Sequence, residues 1–290
     1  MRSLAQWHAY YRLTRLDKPI GIWLLLWPTL WGLLIAGQGR PQWWVVCVFV
    51  LGTILMRSAG CALNDIADRH WDGAVARTHQ RPLATGEISV KEAYLVAAGL
   101  SLLAFVLVCT LGWQVVLWSV PALFLAVSYP YTKRFFAIPQ AYLGIAFGFG
   151  IPMTFVALQG QVPTVAWWLL LANVCWSVAY DTAYAMVDRE DDLKIGIRSS
   201  AITFGRFDVL AIMACFAVML LILAYVAHIL ALGWPFWLGW GAAAVQLWRQ
   251  YRLIRHRQPG DCFKAFLENF WIGAALTAGL AVSYGLGGLA

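Results

Sequence analysis

Long apolar stretches follow one another along nearly the whole 290-residue chain. A helix needs roughly 20 largely apolar residues to cross about 30 Å of hydrocarbon, and nine segments of this kind can be marked. They lie near 20–36, 43–63, 92–111, 113–129, 138–158, 165–186, 208–230, 233–248 and 267–286. Because 61% of the residues are hydrophobic and only 12% are charged, the composition excludes an ordinary soluble domain. The sequence predicts an all-α polytopic membrane protein, a single domain with nine transmembrane helices.

The distribution of Lys and Arg predicts the orientation of the chain, because cytoplasmic loops retain positive charge. All of the 21 Lys and Arg except Arg40 and Arg57 fall in the N-terminal arm or in the loops after the second, fourth, sixth and eighth spans. We therefore expect a cytoplasmic N-terminus and a C-terminus on the opposite side. The net charge of +7 is explained by this topology and by contact with anionic membrane lipid, so no nucleic-acid partner is expected.

Two acidic segments follow the second and the sixth spans. NDIADRHWD contains Asp68 and Asp72, and DTAYAMVDREDD contains Asp188 and Asp192. Each pair is spaced i, i+4, so on a continuing helix both carboxylates lie on one face, about 6 Å apart along the axis.

The two acidic segments are offset by 120 residues, a distance that contains four spans. Because four is an even number, the segments run parallel and deliver their acids to the same side of the membrane. This pattern indicates an internal repeat that relates the segments around 64–81 and 184–198.

Paired carboxylates at the end of a membrane helix are unfavourable unless something neutralises them. An acid near the apolar region costs roughly 2.5–3.5 kcal/mol, and like charges at i, i+4 add a few tenths of a kcal/mol. Divalent cations remove both penalties, and Mg²⁺ characteristically joins carboxylates to phosphate oxygens. The predicted ligands are Asp68, Asp72, Asp188 and Asp192, with Asn64 as a neutral oxygen ligand or a contact to a second substrate. The implied substrate is a diphosphate.

Basic residues come soon after each acidic segment. Arg77 and Arg81 follow the first, and Lys194 and Arg198 follow the second. Arg side chains bind phosphate oxygens in a bidentate manner, so we expect all four to bind the diphosphate. The alternative is that they are ordinary positive charges of cytoplasmic loops, and for Lys194 and Arg198 nothing beyond position argues against it.

Three motifs in order resemble the UbiA superfamily of intramembrane prenyltransferases: MRSAGCALNDIADRHWD, RTHQRPL and YDTAYAMVDREDDLKIGIRS. More narrowly, RLDKPIG near the N-terminus and the long second acidic motif resemble the 4-hydroxybenzoate polyprenyltransferases of ubiquinone biosynthesis. The resemblance extends from Arg15 to about Gly205. The resemblance implies nine helices around a central cavity open to the cytoplasmic side of a bacterial-type inner membrane. It also implies two Mg²⁺ ions on the diphosphate of a polyprenyl donor. The polyprenyl group would go to the ring carbon ortho to the hydroxyl of 4-hydroxybenzoate, with release of diphosphate.

Further candidate catalytic residues lie near Asp188. Asp181 is seven residues before it, so it lies on nearly the same helix face and about 10 Å deeper. It could orient the acceptor, assist deprotonation or form a hydrogen bond within the bundle, and Tyr180 beside it is a weaker candidate. Lys133 and Arg134 in SYPYTKRF are expected to reach the diphosphate, and the sequence leaves open which of them points inward.

Arg57 lies within the second span, seven residues before Asn64 and deeper on the same face. An intramembrane Arg needs an anionic partner, so either Arg57 or Arg15 is expected to bind the carboxylate of the benzoate. The alternative is a structural pair with Asp181 or with a backbone carbonyl. Asp65 lies about 100° off the face of Asn64, and a structural role is expected for it.

Two other functions are compatible with the sequence. A prenyltransferase of the same superfamily could act on another aromatic acceptor. An ion-coupled transporter also combines repeats with intramembrane acids. Its acids should cluster near the membrane midplane, however, whereas these acids lie at the ends of spans.

Overall fold

The computed structural model describes residues 4–75 and 77–287, and within these ranges the regular elements are all helical. The α-helices are α1 (Leu4–Leu13), α2 (Ile20–Ala36), α3 (Trp43–Asp68), α4 (Val90–Cys109), α5 (Trp113–Thr132), α6 (Pro139–Gly148), α7 (Gly150–Gln159), α8 (Thr164–Ile195), α9 (Ser200–Phe204), α10 (Asp208–Ile229), α11 (Trp234–Ile254) and α12 (Pro259–Gly287). Short 3₁₀ turns occupy Asp72–Ala74 and Gly205–Phe207.

The predicted apolar segments all overlap these helices, with the segment near 138–158 divided between α6 and α7. In the described part of the chain, six helical stretches are long and apolar enough to cross a membrane. They are α3, α4, α5, α6 with α7, α9 with α10, and α12. α2 is apolar but shorter, and α8 and α11 carry charged residues in their last turns. Membrane crossing by nine helices therefore stays a prediction.

The main hydrophobic core joins α2, α7, α8, α10, α11 and α12. At its centre the buried rings of Trp31 and Trp176 stack with their centroids 5.4 Å apart. Each indole N–H donates a hydrogen bond to α12, to Thr277 and Asn269 respectively, both at 2.8 Å. Because a buried N–H without a partner is costly, these bonds fix α2 and α8 against α12. The second acidic segment therefore extends from a helix that lies at the centre of the main core.

α3 ends at Asp68, so the expectation that Asp68 and Asp72 share one continuing helix is wrong. The chain turns directly after this point, where the N–H of Trp71 donates to the carbonyl of Asp68 at 2.8 Å. The Arg69 guanidinium donates a hydrogen bond to the carbonyl of Ile66 at 2.8 Å. In a continuing helix this carbonyl would accept a hydrogen bond from a backbone N–H of the next turn. Asp72 then begins the 3₁₀ turn. Asp188 and Asp192, in contrast, both lie on α8, which continues to Ile195.

Candidate active site

Two adjoining cavities meet where α3, α5 and α8 come together. The larger has a volume of about 960 Å³ and is lined mostly by apolar residues of α2 to α8 and α12. The smaller, about 170 Å³, lies among the acidic segments and the loops that follow them. The residues that line both cavities are Asn64, Arg77, Arg81, Tyr129, Asp181 and Tyr184. A charged cleft therefore opens onto an apolar chamber.

Asp68 lies at the end of α3 with only 4% of its surface exposed. One of its carboxylate oxygens, Oδ2, accepts a hydrogen bond from the Asn64 amide at 3.1 Å and pairs with the Lys133 ammonium group. The other oxygen, Oδ1, is buried and has no hydrogen-bond partner among the described residues. A buried carboxylate oxygen left in this way is costly, which makes it a position where a cation would be favourable.

Lys133 and Arg134 differ in direction, a point that the sequence left open. Lys133 lines the smaller cavity and pairs with Asp68. Arg134 instead donates to the carbonyl of Ala67 at 2.9 Å, and its guanidinium lies over the rings of Trp71 and Tyr131. Arg134 lines neither cavity, so the structure does not bring it to the acidic cluster.

Asp72 is buried and lies in the loop beyond α3. Arg81 donates from one guanidinium nitrogen to both of its carboxylate oxygens at 2.9 Å. Burial raises the pKa of Asp72 above its usual range, although the charge of Arg81 opposes the shift. The Arg81 side chain also pairs with Asp65, so it connects Asp72 with α3.

The second acidic segment receives its base from the loop after the first. Arg77 donates to both oxygens of Asp188 through three contacts of 2.5–3.0 Å, and its guanidinium lies 4.5 Å from the centre of the Tyr184 ring. Asp192 also lines the smaller cavity and makes no ion pair with the described residues. Burial, followed by the negative charge of Asp188, raises the pKa of Asp192 to about 7.

The two bases that follow the second segment lie in different places. Lys194 is 70% exposed, pairs with Asp191 at 3.1 Å and lines neither cavity. Arg198 lines the smaller cavity, where its guanidinium donates to the carbonyl of Phe135 at 2.8 Å. Its backbone N–H donates to the carbonyl of Lys133 at 3.0 Å. Arg198 is therefore brought to the cluster, and Lys194 is not.

Arg57 and Tyr180 lie deeper, in the wall of the larger cavity. The Arg57 guanidinium contacts the thiol of Cys61 and packs against Gly21, where a Cβ atom would collide with it. In the part of the chain that the structure describes, its Nε–H is buried without a hydrogen-bond partner and no acid pairs with it. The alternative pair with Asp181 is therefore not formed. Tyr180 is hydrogen-bonded to the hydroxyl of Ser177 at 3.0 Å.

Arg15 also lines the larger cavity but is already paired. Its guanidinium donates to both oxygens of Asp65, at 2.8 and 3.0 Å. The structural role expected for Asp65 is thus visible as an ion pair between α3 and the segment that follows α1.

The donor set suits a hard cation such as Mg²⁺, because it consists of carboxylate and amide oxygens. Within the described part of the chain, Oδ1 of Asp68 has no hydrogen-bond partner and Asp192 forms no ion pair, and both observations fit such an ion. Among the residues that the structure describes, however, no three His, Cys, Asp or Glu side chains converge closely enough to hold a metal. Instead, Asp68, Asp72 and Asp188 each contact a base, and a bound cation would compete with these contacts.

Tyr129 and Tyr184 line both cavities, and the sequence reasoning missed them. Tyr184 lies three residues after Asp181 and four before Asp188, so helical periodicity alone places the three on one face of α8. Tyr129 is likewise four residues before Lys133. The spacing that identified the acids could therefore have identified both tyrosines.

Known proteins of one family are similar to this chain over most of its length. The UbiA prenyltransferase family profile matches residues 25–274. The chain is 62% identical to a 4-hydroxybenzoate octaprenyltransferase from Methylobacillus flagellatus, over 95% of this chain and 93% of that protein. It is also similar to the apo structure of a UbiA homolog from Aeropyrum pernix K1, with a TM-score of 0.80 and 24% identity, covering 90% of this chain and 97% of that one. A UbiA homolog from Archaeoglobus fulgidus, solved with GPP and Mg²⁺, has a TM-score of 0.72 and 20% identity, over 95% and 99% of the two chains. The chain belongs to the UbiA prenyltransferase family.

Proposed function

We propose that this protein is a Mg²⁺-dependent 4-hydroxybenzoate polyprenyltransferase, which transfers a polyprenyl group to the ring carbon ortho to the hydroxyl and releases diphosphate. The observation that carries the proposal is the junction of the charged cleft with the apolar cavity of about 960 Å³. A diphosphate and a long hydrocarbon chain need these two environments side by side. The 62% identical relative bears the name of this activity, with an octaprenyl donor.

The acids are proposed to hold the metal. Asp68, Asp72, Asp188 and Asp192, with Asn64, would bind Mg²⁺, for which two ions are expected. Once bound, Mg²⁺ neutralises the charge that collects on the departing diphosphate. The structure of the A. fulgidus homolog was determined with GPP and Mg²⁺, which supports a divalent ion in this fold.

The bases are proposed to hold the phosphate oxygens. Arg77, Arg81, Lys133 and Arg198 all line the smaller cavity, where their N–H groups can donate to an anion. As the C–O bond of the donor breaks, its electron pair leaves with the diphosphate, and these donors stabilise the negative charge that develops. Arg134 and Lys194 are left out of this set because neither lines a cavity.

The carbon–carbon bond is proposed to form at the junction of the two cavities. The ortho carbon of the acceptor ring attacks the allylic cation, and a base then takes the proton from that ring carbon. Asp181 is the candidate base because it lines both cavities, with Tyr180 and Tyr184 beside it on α8. The apolar walls of the larger cavity exclude water, which would otherwise trap the cation as an alcohol.

Arg57 is proposed to bind the carboxylate of the acceptor. Among the described residues its Nε–H is buried without a hydrogen-bond partner beside the larger cavity, and Arg15, which Asp65 holds, lines the same cavity. Arg57→Ala should raise the apparent KM for 4-hydroxybenzoate roughly 10- to 100-fold, the loss expected for a charge-assisted hydrogen bond.

Gly21→Ala should also raise this KM, because the added methyl group would displace the Arg57 guanidinium. Arg249→Ala, an exposed Arg paired with Glu268, is the control. An unchanged acceptor KM in Arg57→Ala would remove this role.

The proposed topology has nine spans, with the N-terminus in the cytoplasm and the C-terminus on the opposite side of the inner membrane. The distribution of Lys and Arg supports it. A reporter enzyme that is active only outside the cytoplasm, fused to the C-terminus, tests the orientation. Activity of that fusion is expected, and an inactive fusion at normal expression would contradict the topology.

The decisive assay uses the purified protein with octaprenyl diphosphate and a panel of aromatic acceptors, with Mg²⁺ or with a chelator. We expect prenylated 4-hydroxybenzoate in the presence of Mg²⁺ and none with the chelator. If only a naphthoate acceptor gives product, the protein is still a prenyltransferase but 4-hydroxybenzoate is not its acceptor. If no acceptor gives product, the proposed prenyltransferase activity is rejected.

A further inference from the structure

Asp65 is the most heavily paired buried acid beside the larger cavity. It lies on α3 with only 1% of its surface exposed. Arg15 donates to both of its oxygens, and Arg81 lies 3.1 Å from its Oδ1. The two guanidinium groups therefore share one carboxylate oxygen, and all three residues line the larger cavity.

The two arginines come from separate parts of the chain, which Arg12 also joins through the carbonyl of Gln80 and the carboxylate of Glu87. Arg15 follows α1, and Arg81 lies in the loop after the first acidic segment. Without the acid between them, the two positive charges would repel each other in this partly buried site. Asp65 is thus the group that allows both to lie at the same place.

The backbone at Arg15 caps the C-terminus of α1, because its N–H donates to the carbonyl of Arg12 and the N–H of Leu16 donates to the carbonyl of Tyr11. Arg15 accordingly adopts a positive φ of 56°, the left-handed conformation of such helix caps. Its guanidinium also donates to the carbonyl of Arg12 at 2.7 Å. The pair with Asp65 then directs the side chain toward the cavity.

We propose that Asp65 is a positioning residue that holds Arg81 for the diphosphate and Arg15 beside the acceptor, and so couples the two substrate sites. This inference rests on the proposed function. Asp65 itself is not expected to touch either substrate, because both of its oxygens are already used by the arginines.

The test is Asp65→Asn, which keeps the shape of the side chain and removes its charge. We expect the apparent KM for octaprenyl diphosphate and for 4-hydroxybenzoate to rise together, each about 10-fold, while kcat changes much less. Arg81→Ala should raise only the first KM. In the double variant, Asp65→Asn should add little to the diphosphate KM of Arg81→Ala, because residues that act through one contact are not additive.

Asp208 provides a matched control. It is also fully buried and also pairs with two arginines, Arg189 and Arg257, but it lines neither cavity. Asp208→Asn should lower the thermal stability by an amount comparable to Asp65→Asn and leave both KM values unchanged. If Asp65→Asn lowers only thermal stability, with both KM values unchanged, the positioning role is overturned.

Binding of inorganic diphosphate in the presence of Mg²⁺, measured by calorimetry, gives a readout that does not depend on turnover. Asp65→Asn should weaken it about 10-fold, and Asp208→Asn should not change it. If the variants change diphosphate binding as predicted but the wild-type protein transfers no prenyl group, the proposed function is rejected and the positioning role of Asp65 is retained. If Asp65→Asn does not fold, Asp65→Glu replaces it, since its carboxylate is shifted by one methylene. Unchanged affinity and KM values for Asp65→Glu would then overturn the inference.

Discussion

The two acidic segments have the same spacing of aspartates but differ in how the fold holds them. In the first, α3 ends at Asp68 and Asp72 lies in a turn, with Lys133 and Arg81 as their respective partners. In the second, both acids continue on α8, and Asp188 takes its base from the loop after the first segment. The loop after the first segment therefore supplies the bases that pair with Asp72 and Asp188, whereas the end of α5 supplies the base that pairs with Asp68. The difference indicates one composite site, in which neither segment is complete alone.

Removing one carboxylate from each segment should have the largest effect. Asp68→Asn and Asp188→Asn should each lower kcat/KM by roughly 10²–10³, the loss typical of one group that stabilises transition-state charge. If the site is composite, the two losses should be similar. Steady-state kinetics in saturating Mg²⁺ measures both.

Asp191→Asn is the control for this comparison. Asp191 is on the same helix but pairs with the exposed Lys194 and lines neither cavity. Its kcat/KM should remain within about twofold of the wild type, as for surface substitutions generally. A loss as large as that of Asp188→Asn would mean that the charge of α8 matters and the geometry does not.

The bond that joins the segments should have the next largest effect. Arg77→Lys keeps a positive charge but loses the bidentate fork toward Asp188 and the contact with the Tyr184 ring. We expect the apparent KM for the prenyl diphosphate to rise about 10-fold, with a smaller change in the acceptor KM. Equal kinetics for Arg77→Lys and the wild type would show that the two segments do not depend on this bridge.

The smallest effect is expected for the lysine that the structure leaves outside the cluster. Lys194→Ala should change kcat/KM by less than about twofold, because an exposed ion pair contributes little. Lys133→Ala, its counterpart at the end of α5, should lower kcat/KM at least about 10-fold, since it leaves Asp68 buried without a counter-charge. Comparable losses in the two variants would contradict the assignment of Lys133 and the exclusion of Lys194.

Sequence periodicity predicted helical segments well because long apolar runs and i, i+4 spacing are local properties. It correctly kept Asp188 and Asp192 on one helix. The prediction failed for Asp72, because contacts of Trp71 and Arg69 with the last turn of α3 stabilise a turn directly after Asp68. The spacing of apolar residues does not indicate where a helix ends.

The partners of the charged residues were beyond prediction for a different reason. The pair between Arg15 and Asp65 joins residues 50 positions apart, and the pair between Arg77 and Asp188 joins residues 111 apart. Such contacts depend on how α3, α8 and the loops pack. For the same reason the sequence could not choose between Lys133 and Arg134, which are adjacent at the end of α5 and point in different directions.

The central claim is that both acidic segments form one metal–diphosphate site, and calorimetric titration of the purified protein with inorganic diphosphate tests it most directly. We predict binding that requires Mg²⁺ and that is lost to a similar extent in Asp68→Asn and in Asp188→Asn. Binding that persists at wild-type affinity in either variant, or that is the same with and without Mg²⁺, would contradict the account.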